Sequence, residues 1–246
     1  MNVPWTRAIV VGGTGGIGEA IARQLKLNGC DVAVVGRNQS KLDAISSNLG
    51  LADDRTFPFD ILDFDHAQDA FDAIVQKMGG LDLFVFAAGV MTPVGETEYD
   101  TSKDKLIIDT NLTAAIAWCN AAAKRFERGK AGTIIGIGSP SGDRGRRGNP
   151  AYGASKAGFE TYLESLRNRL AKSHVSVVTA KPGPVRTPMT ESFGKLPGMI
   201  EADLAAEIIL KKSARFSKVF YVPGKWWIAS KVMRLIPSLV FRRMRI

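Results

Sequence analysis

Short runs of branched and aromatic apolar residues recur along the chain, separated by longer stretches whose apolar positions follow a helical period. The runs Ala8–Val11, Val32–Gly36, Thr56–Phe59, Leu83–Ala87, Thr133–Ile137, Val175–Ala180 and Val219–Val222 carry few polar residues. Such continuity predicts strands covered on both faces. The intervening segments Gly16–Leu27, Phe64–Met78, Lys103–Phe126, Ala151–Lys172 and Glu201–Lys212 predict helices. Regular alternation of strand and helix implies right-handed crossovers and a doubly wound parallel sheet of about seven strands. No internal repeat, low-complexity tract or Gly/Ser linker interrupts the pattern, so residues 1–246 are expected to form one α/β domain.

Composition agrees with a globular domain. The 246 residues are 45% hydrophobic and 23% charged, too apolar for disorder, and the 25 glycines are unperiodic. Two cysteines, Cys30 and Cys119, cannot make a disulfide scaffold, which suggests a reducing, cytoplasmic setting. His66 and His174 stand far from both cysteines, so no metal site is expected. The residues from Met1 to Val10 lack the apolar stretch of a signal peptide, and no membrane-spanning helix is expected.

The formal charge of +9 changes the picture. An anionic cofactor, an acidic carrier protein and a membrane surface would each suit it. Nucleic acid is not expected as a partner, because no basic stretch is interleaved with aromatics. The cations are uneven. Arg144, Arg146 and Arg147 crowd one segment, and Lys225, Lys231, Arg234, Arg242, Arg243 and Arg245 occupy the C-terminus without an acid.

The first strand runs into Gly12-Gly13-Thr14-Gly15-Gly16-Ile17-Gly18 and then a helix. A glycine turn at this place lets the backbone approach a pyrophosphate seated on the helix N-terminus. A tight strand–helix turn without a ligand would read alike. Where an NAD site carries an acid after the second strand, this chain has Gly36-Arg37-Asn38. Arg37 is either a 2′-phosphate partner, which favours NADP(H), or a solvated loop residue.

Tyr152 and Lys156 stand four residues apart at the start of a predicted helix, on one face. An ammonium there favours the phenolate and makes the tyrosine a usable acid or base. With these motifs the chain resembles the short-chain dehydrogenase/reductase family over most of its length. Further matching positions are Ser139, thirteen residues before Tyr152, Asn111, the pair Asp60-Ile61, and Pro182-Gly183-Pro184-Val185-Arg186-Thr187.

The resemblance implies a Rossmann-like fold, a homo-oligomer, and hydride transfer between NADP(H) and a carbonyl or secondary alcohol. Tyr152 would move the proton, Ser139 would orient the reacting oxygen, and Lys156 would bind ribose and lower the tyrosine pKa. Asn111 would support a water chain that resupplies the proton. Ser141 competes with Ser139, and only the offset from Tyr152 favours the latter. Gly12 to Gly18, Arg37, Asn38, Asp60, Ile61, Ala87, Ala88, Gly89, Pro182, Gly183, Val185 and Thr187 would contact cofactor.

The chain departs from the family pattern at Phe86-Ala87-Ala88-Gly89, where two asparagines are common, and at Val11, where a threonine is common. Both changes suggest apolar repacking beside the adenosine. Pro188–Met199 falls where the family carries its substrate lid, and Met189, Phe193, Leu196 and Met199 would give it an apolar wall. With Met91, Thr92 and Pro93 they suggest a hydrophobic ketone or aldehyde.

Basic helix ends at Lys124, Arg125, Arg128, Lys130, Arg167, Arg169 and Lys172 would suit a 3-oxoacyl substrate on an acidic carrier, or are solvated termini. A non-catalytic NADP-binding redox sensor is the other class of reading. The tail 225–246 combines Trp226, Trp227 and large aliphatics with cations. That composition fits a helix lying on a bilayer, or a segment packed beside the cleft.

Overall fold

The computed structural model describes residues 3–194, 196–215 and 218–244. Lys195, within the expected lid segment, and Arg245 of the tail lie outside them. Strands are β1 Arg7–Val11, β2 Asp31–Gly36, β3 Thr56–Pro58, β4 Leu83–Phe86, β5 Gly132–Ile137, β6 Val175–Pro182, β7 Val185–Arg186, β8 Ile200–Glu201 and β9 Val219–Val222. Helices are α1 Gly16–Leu27, α2 Gln39–Leu49, α3 Ala67–Met78, α4 Thr101–Ile108, α5 Ala114–Gly129, α6 Pro150–Arg169, α7 Ala202–Ala214, α8 Lys225–Leu235 and α9 Ser238–Phe241.

Seven strands form one parallel sheet in the order β3-β2-β1-β4-β5-β6-β9. The chain first moves outward from β1 to β2 and β3, then crosses back to add β4 beside β1. This reversal opens a crevice above the carboxyl ends of β1 and β4. Both sheet faces are covered, as the apolar runs require. Ile9, Phe84 and Ile134 pack toward Phe71, Trp118 and Phe159 on one face, while Val10, Val34 and Val85 pack toward Ile21, Leu25 and Ile209 on the other. The sheet and its helices confirm the doubly wound, single-domain α/β fold read from the pattern.

Differences from the expected elements have local causes. Helix α2 escapes the pattern because only Leu42 and Ile45 on it are buried. The segment expected as one helix over Lys103–Phe126 is α4 and α5 joined by a π turn, Asp109–Thr113. The whole helical run, Thr101–Gly129, is long and apolar enough to cross a bilayer, with 56% of that apolar stretch buried in the protein. Trp118, Cys119 and Phe126 anchor it in the core, so it is a core helix. A two-stranded pair, β7 with β8, brackets the lid segment, which forms a short 3-10 helix, Pro188–Phe193.

Candidate active site

A cleft of about 570 Å³ occupies the crevice where the strand order reverses. From the glycine turn, Gly12, Thr14, Gly15, Gly16 and Ile17 line it. Gly12 has φ 80°, and a Cβ on it would lie 2.5 Å from the Ala88 backbone nitrogen. Gly13 and Gly18 are absent from the lining and serve close packing instead. A side chain on Gly18 would strike the Gly12 carbonyl, and one on Gly13 would come within 2.9 Å of Val34 Cγ1. Gly15 caps α1 with no side-chain hydrogen bond. The first-turn N–H groups therefore remain available to an anion, and this cradle fits a dinucleotide pyrophosphate.

Arg37, Asp60, Ile61, Ala87, Ala88 and Gly89 line the cleft as expected. Asn38 does not. Its Oδ1 accepts the Lys41 N–H at 3.0 Å and caps α2. Lys41, one helical turn further, does reach the cleft, and sequence reading missed it because α2 itself was missed. Thr14 fills the space against Gly36, where a Cβ would meet Thr14 Cγ2 at 2.7 Å.

Tyr152 and Lys156 rise from the first turns of α6. Pro150 at the start and Asn149 as cap fix that turn, with Asn149 Oδ1 accepting the Tyr152 N–H at 3.0 Å. Asn149 Nδ2 donates to the Thr92 carbonyl at 2.8 Å, tying α6 to the segment after β4. Lys156 is buried, and its Nζ donates to the Ile137 carbonyl at 2.9 Å and lies 5.8 Å from the Tyr152 ring centroid. Burial pushes its pKa down to about 8.

The phenol of Tyr152 is moved the opposite way from the expectation. Burial raises its pKa, Glu160 adds to the rise, and a hydrogen bond with Ser139 and the charge of Arg146 pull it back only in part. Ser139 and Ser141 both line the cleft, and Ser139 Oγ accepts the Ser141 N–H at 3.1 Å.

Asn111 sits in the π turn, fully buried, and does not line the cleft. Its Nδ2 donates to the Val90 carbonyl at 2.9 Å and to Ser155 Oγ at 3.2 Å, and its Oδ1 accepts the Val90 N–H at 2.7 Å. Both amide hydrogens are thus taken up in holding the strand-following segment to α6. That geometry gives Asn111 a positioning role for the segment after β4.

Pro182, Gly183, Val185 and Thr187 line the cleft. Of the expected apolar wall, Met91, Met189 and Leu196 are present, while Phe193 is 42% exposed and Met199, Thr92 and Pro93 are absent from the lining. Leu106 and Trp226 supply apolar wall that sequence reading did not assign. Trp226 packs against Gly183, where a Cβ would come within 2.1 Å of its indole nitrogen.

Behind Ser139 lies a charge cluster with no motif to announce it. Lys181 on β6 pairs with Asp143 and with Glu160 Oε2, the latter at 2.7 Å, and all three side chains are largely buried. Burial opposes charge on every member. Lys181, Ser230 and Tyr221 nevertheless hold Asp143 below the ordinary carboxylate range, and the two acids raise Lys181. Glu160 stays above its ordinary value because burial outweighs the pull of Lys181.

A doubly wound sheet with a glycine cradle and a Tyr–Lys–Ser group in one switch-point cleft defines an oxidoreductase of the nicotinamide-dependent class. The profile of the short chain dehydrogenase family matches residues 6–197, and the chain belongs to that family. An uncharacterized oxidoreductase of Myxococcus xanthus is 30% identical over 251 residues, spanning 99% of each chain. One from Staphylococcus epidermidis is 30% identical over 204 residues, 82% of this chain and 88% of the relative. Among solved structures, a short-chain type dehydrogenase/reductase from Mycobacterium ulcerans superposes with TM-score 0.81 at 25% identity, covering 99% of this chain and 100% of that one.

Proposed function

We propose that the protein is an NADP(H)-dependent reductase or dehydrogenase of hydrophobic ketones, aldehydes or the matching secondary alcohols. The observation that carries this reading is the lining of one cleft by Tyr152, Ser139 and Lys156 together with Gly12, Thr14, Gly15, Gly16 and Ile17 of the glycine turn. When bound, the nicotinamide supplies or accepts the hydride.

In reduction Tyr152 gives its phenolic proton to the carbonyl oxygen while the Ser139 hydroxyl donates a hydrogen bond to the same atom. Lys156, already fixed by the Ile137 carbonyl, binds ribose hydroxyls and stabilises the phenolate left behind. The raised Tyr152 pKa of the free protein keeps the phenol protonated at neutral pH, the form a proton donor needs. Arg37 and Lys41 favour the 2′-phosphate of NADP(H), and Asp60 receives the adenine side.

NADPH and NADH oxidation measured in parallel against a panel of aliphatic and aromatic carbonyls tests the proposal. Reduction with NADPH preferred is the expected outcome, and binding of NADPH with no turnover on any carbonyl would favour the sensor reading. The 3-oxoacyl-carrier reading loses a supporting cation. Arg167 donates to the carbonyls of Val177 and Lys218 and to Thr179 Oγ1, so its charge belongs to the sheet edge. Assembly of the enzyme as a homo-oligomer through its long helices is checked by sedimentation equilibrium.

For the tail, we propose peripheral attachment to an anionic bilayer. What supports it is the outward face of α8 and α9. Trp227, Ile228, Val232, Leu235, Leu239 and Val240 are all exposed there, among Lys225, Lys231, Arg234, Arg242 and Arg243 and no acid. Each basic group near an anionic surface contributes about 1 kcal/mol, which adds to insertion of the aromatic ring. Salt-sensitive sedimentation with anionic but not neutral vesicles is expected, and its loss in Trp227→Ser/Ile228→Ser would assign it to this face.

A further inference from the structure

The segment between Ser139 and Tyr152 carries three arginines, and the structure gives them two different jobs. Arg144 donates to the Met233 carbonyl and, at 2.6 Å, to the Ile236 carbonyl, and its guanidinium covers the Phe241 ring at 3.9 Å. Arg147 Nη2 donates to the Arg242 carbonyl at 2.9 Å. These two clasp the C-terminal helices. Arg146 faces the cleft.

Among the described residues Arg146 makes one hydrogen bond, from Nη2 to the Pro140 carbonyl at 3.2 Å, and its Nε is buried with no acceptor. No carboxylate pairs with it among the described residues. Asp143, the acid whose charge reaches it, already holds Lys181, Tyr221 and Ser230. Burial lowers the guanidinium pKa, so the site holds its charge under strain from desolvation. A second buried donor without an acceptor among the described residues, the indole N–H, belongs to Trp226 of the same lining.

Buried donors left empty in a folded protein call for an explanation, and here both belong to side chains that line the ligand cleft. Both are donors only, so the group that completes them brings acceptor oxygens. The cofactor's phosphates have their own receptors in the α1 N-terminus, Arg37 and Lys41, all from the β1–β2 half of the sheet. Arg146 comes instead from the segment leading into α6, and its charge is felt by the Tyr152 phenol, where the reacting carbonyl docks. Met91, Leu106, Met189 and Leu196 complete the lining with apolar surface.

We propose that Arg146 receives an anionic group, carboxylate or phosphate, on the carbonyl substrate, making the preferred substrates oxo acids or keto phosphates with an apolar remainder. This rests on the carbonyl-reductase reading above. A guanidinium matches either anion with paired N–H donors, which a lysine in its place would not do.

The test is steady-state NADPH oxidation with three compounds of one carbon skeleton: a medium-chain oxo acid, its methyl ester and the corresponding keto phosphate. The acid or the phosphate should exceed the ester in kcat/KM by about 10- to 100-fold, the scale of a charge-assisted hydrogen bond. The better of the two identifies the natural anion. In Arg146→Gln the anion-to-ester ratio should fall to near one, and Arg146→Lys should restore part of it, with KM for NADPH unmoved in both.

An unmodified enzyme that prefers the ester, or an Arg146→Gln variant that loses both substrates equally and keeps the ratio, would overturn the proposal while leaving the carbonyl-reductase reading intact. A shift confined to KM for NADPH would also overturn it, by assigning the guanidinium to the cofactor. If none of the three is reduced, the carbonyl reading itself fails. Calorimetric titration of the acid and ester into the NADP-loaded protein then still decides whether Arg146 binds the anion, and equal affinity for both would sink it.

Discussion

The Glu160 carboxylate accepts the backbone N–H of Ser139 at 2.8 Å, so a residue two turns along α6 from Tyr152 fixes the backbone of the cleft-lining serine from behind. Ser139 is held extended, at φ −164° and ψ 148°. The other Glu160 oxygen is held by Lys181, which joins it to Asp143 and through Asp143 to Ser230 on α8. One ionic cluster thus braces the serine, the helix that carries Tyr152, and the C-terminal helix.

Removing one partner of a buried ion pair costs more than the pair contributes, because the other charge is left uncompensated. Glu160→Gln should therefore lower unfolding stability by about 3 kcal/mol, measured by urea denaturation. It should also reduce kcat with KM for NADPH little changed. A variant as stable and as fast as the parent would show that the brace is dispensable.

Tyr152→Phe should reduce turnover by about 10²–10⁴ while leaving NADPH affinity nearly intact. Lys156→Ala should weaken both, as the proposed double role of the ammonium toward ribose and phenol requires. Fluorescence titration of NADPH alongside steady-state rates separates the two effects.

Cofactor choice is testable at Arg37. An acid at Gly36, the position where NAD sites often carry one, would press its Cβ on Thr14 at 2.7 Å. The cleaner change is Arg37→Asp, which exchanges the cation for a carboxylate without that collision. The preference for NADPH over NADH should fall by about 10- to 100-fold, the size of a charged hydrogen bond. Unchanged preference in the ratio of kcat/KM values would remove Arg37 from cofactor selection.

The pH dependence of stability follows from Lys156. Its folded pKa of about 8 lies below the ordinary 10.5. Between those values the unfolded chain binds more protons than the native one, so stability rises with pH across that window and the gain is absent below it. The difference in melting temperature between the parent and Lys156→Met should therefore shift in the parent's favour from pH 8 toward pH 10. A flat difference would mean the ammonium is better solvated than its burial implies.

The strands and the order of motifs were legible because a fully covered parallel strand writes an unbroken apolar run, and the glycine turn and the Tyr152/Lys156 spacing are local. What stayed hidden is non-local or relational. Lys41 depended on a helix with only two buried apolar positions. The Lys181–Asp143–Glu160 cluster joins three separate segments at no fixed spacing. Asn38 was read by position as a cofactor contact and Asn111 as a catalytic residue, and the side chain of Asn38 caps a helix while that of Asn111 crosses to Val90 and Ser155. Asparagine satisfies backbone as readily as ligand, and only the three-dimensional partner tells which.

Helix α8 turns Trp226 and Ser230 inward, to Gly183 and Asp143, while Trp227, Ile228 and Val232 look out. Cutting the chain before this helix would therefore remove a wall of the cleft and a ligand of the ionic brace together with the exposed face. The two faces differ in how freely they can be rewritten. Trp227, Ile228 and Val232 on the outer one form no part of the cleft lining, so they can be replaced without altering its wall, whereas Trp226 on the inner one cannot.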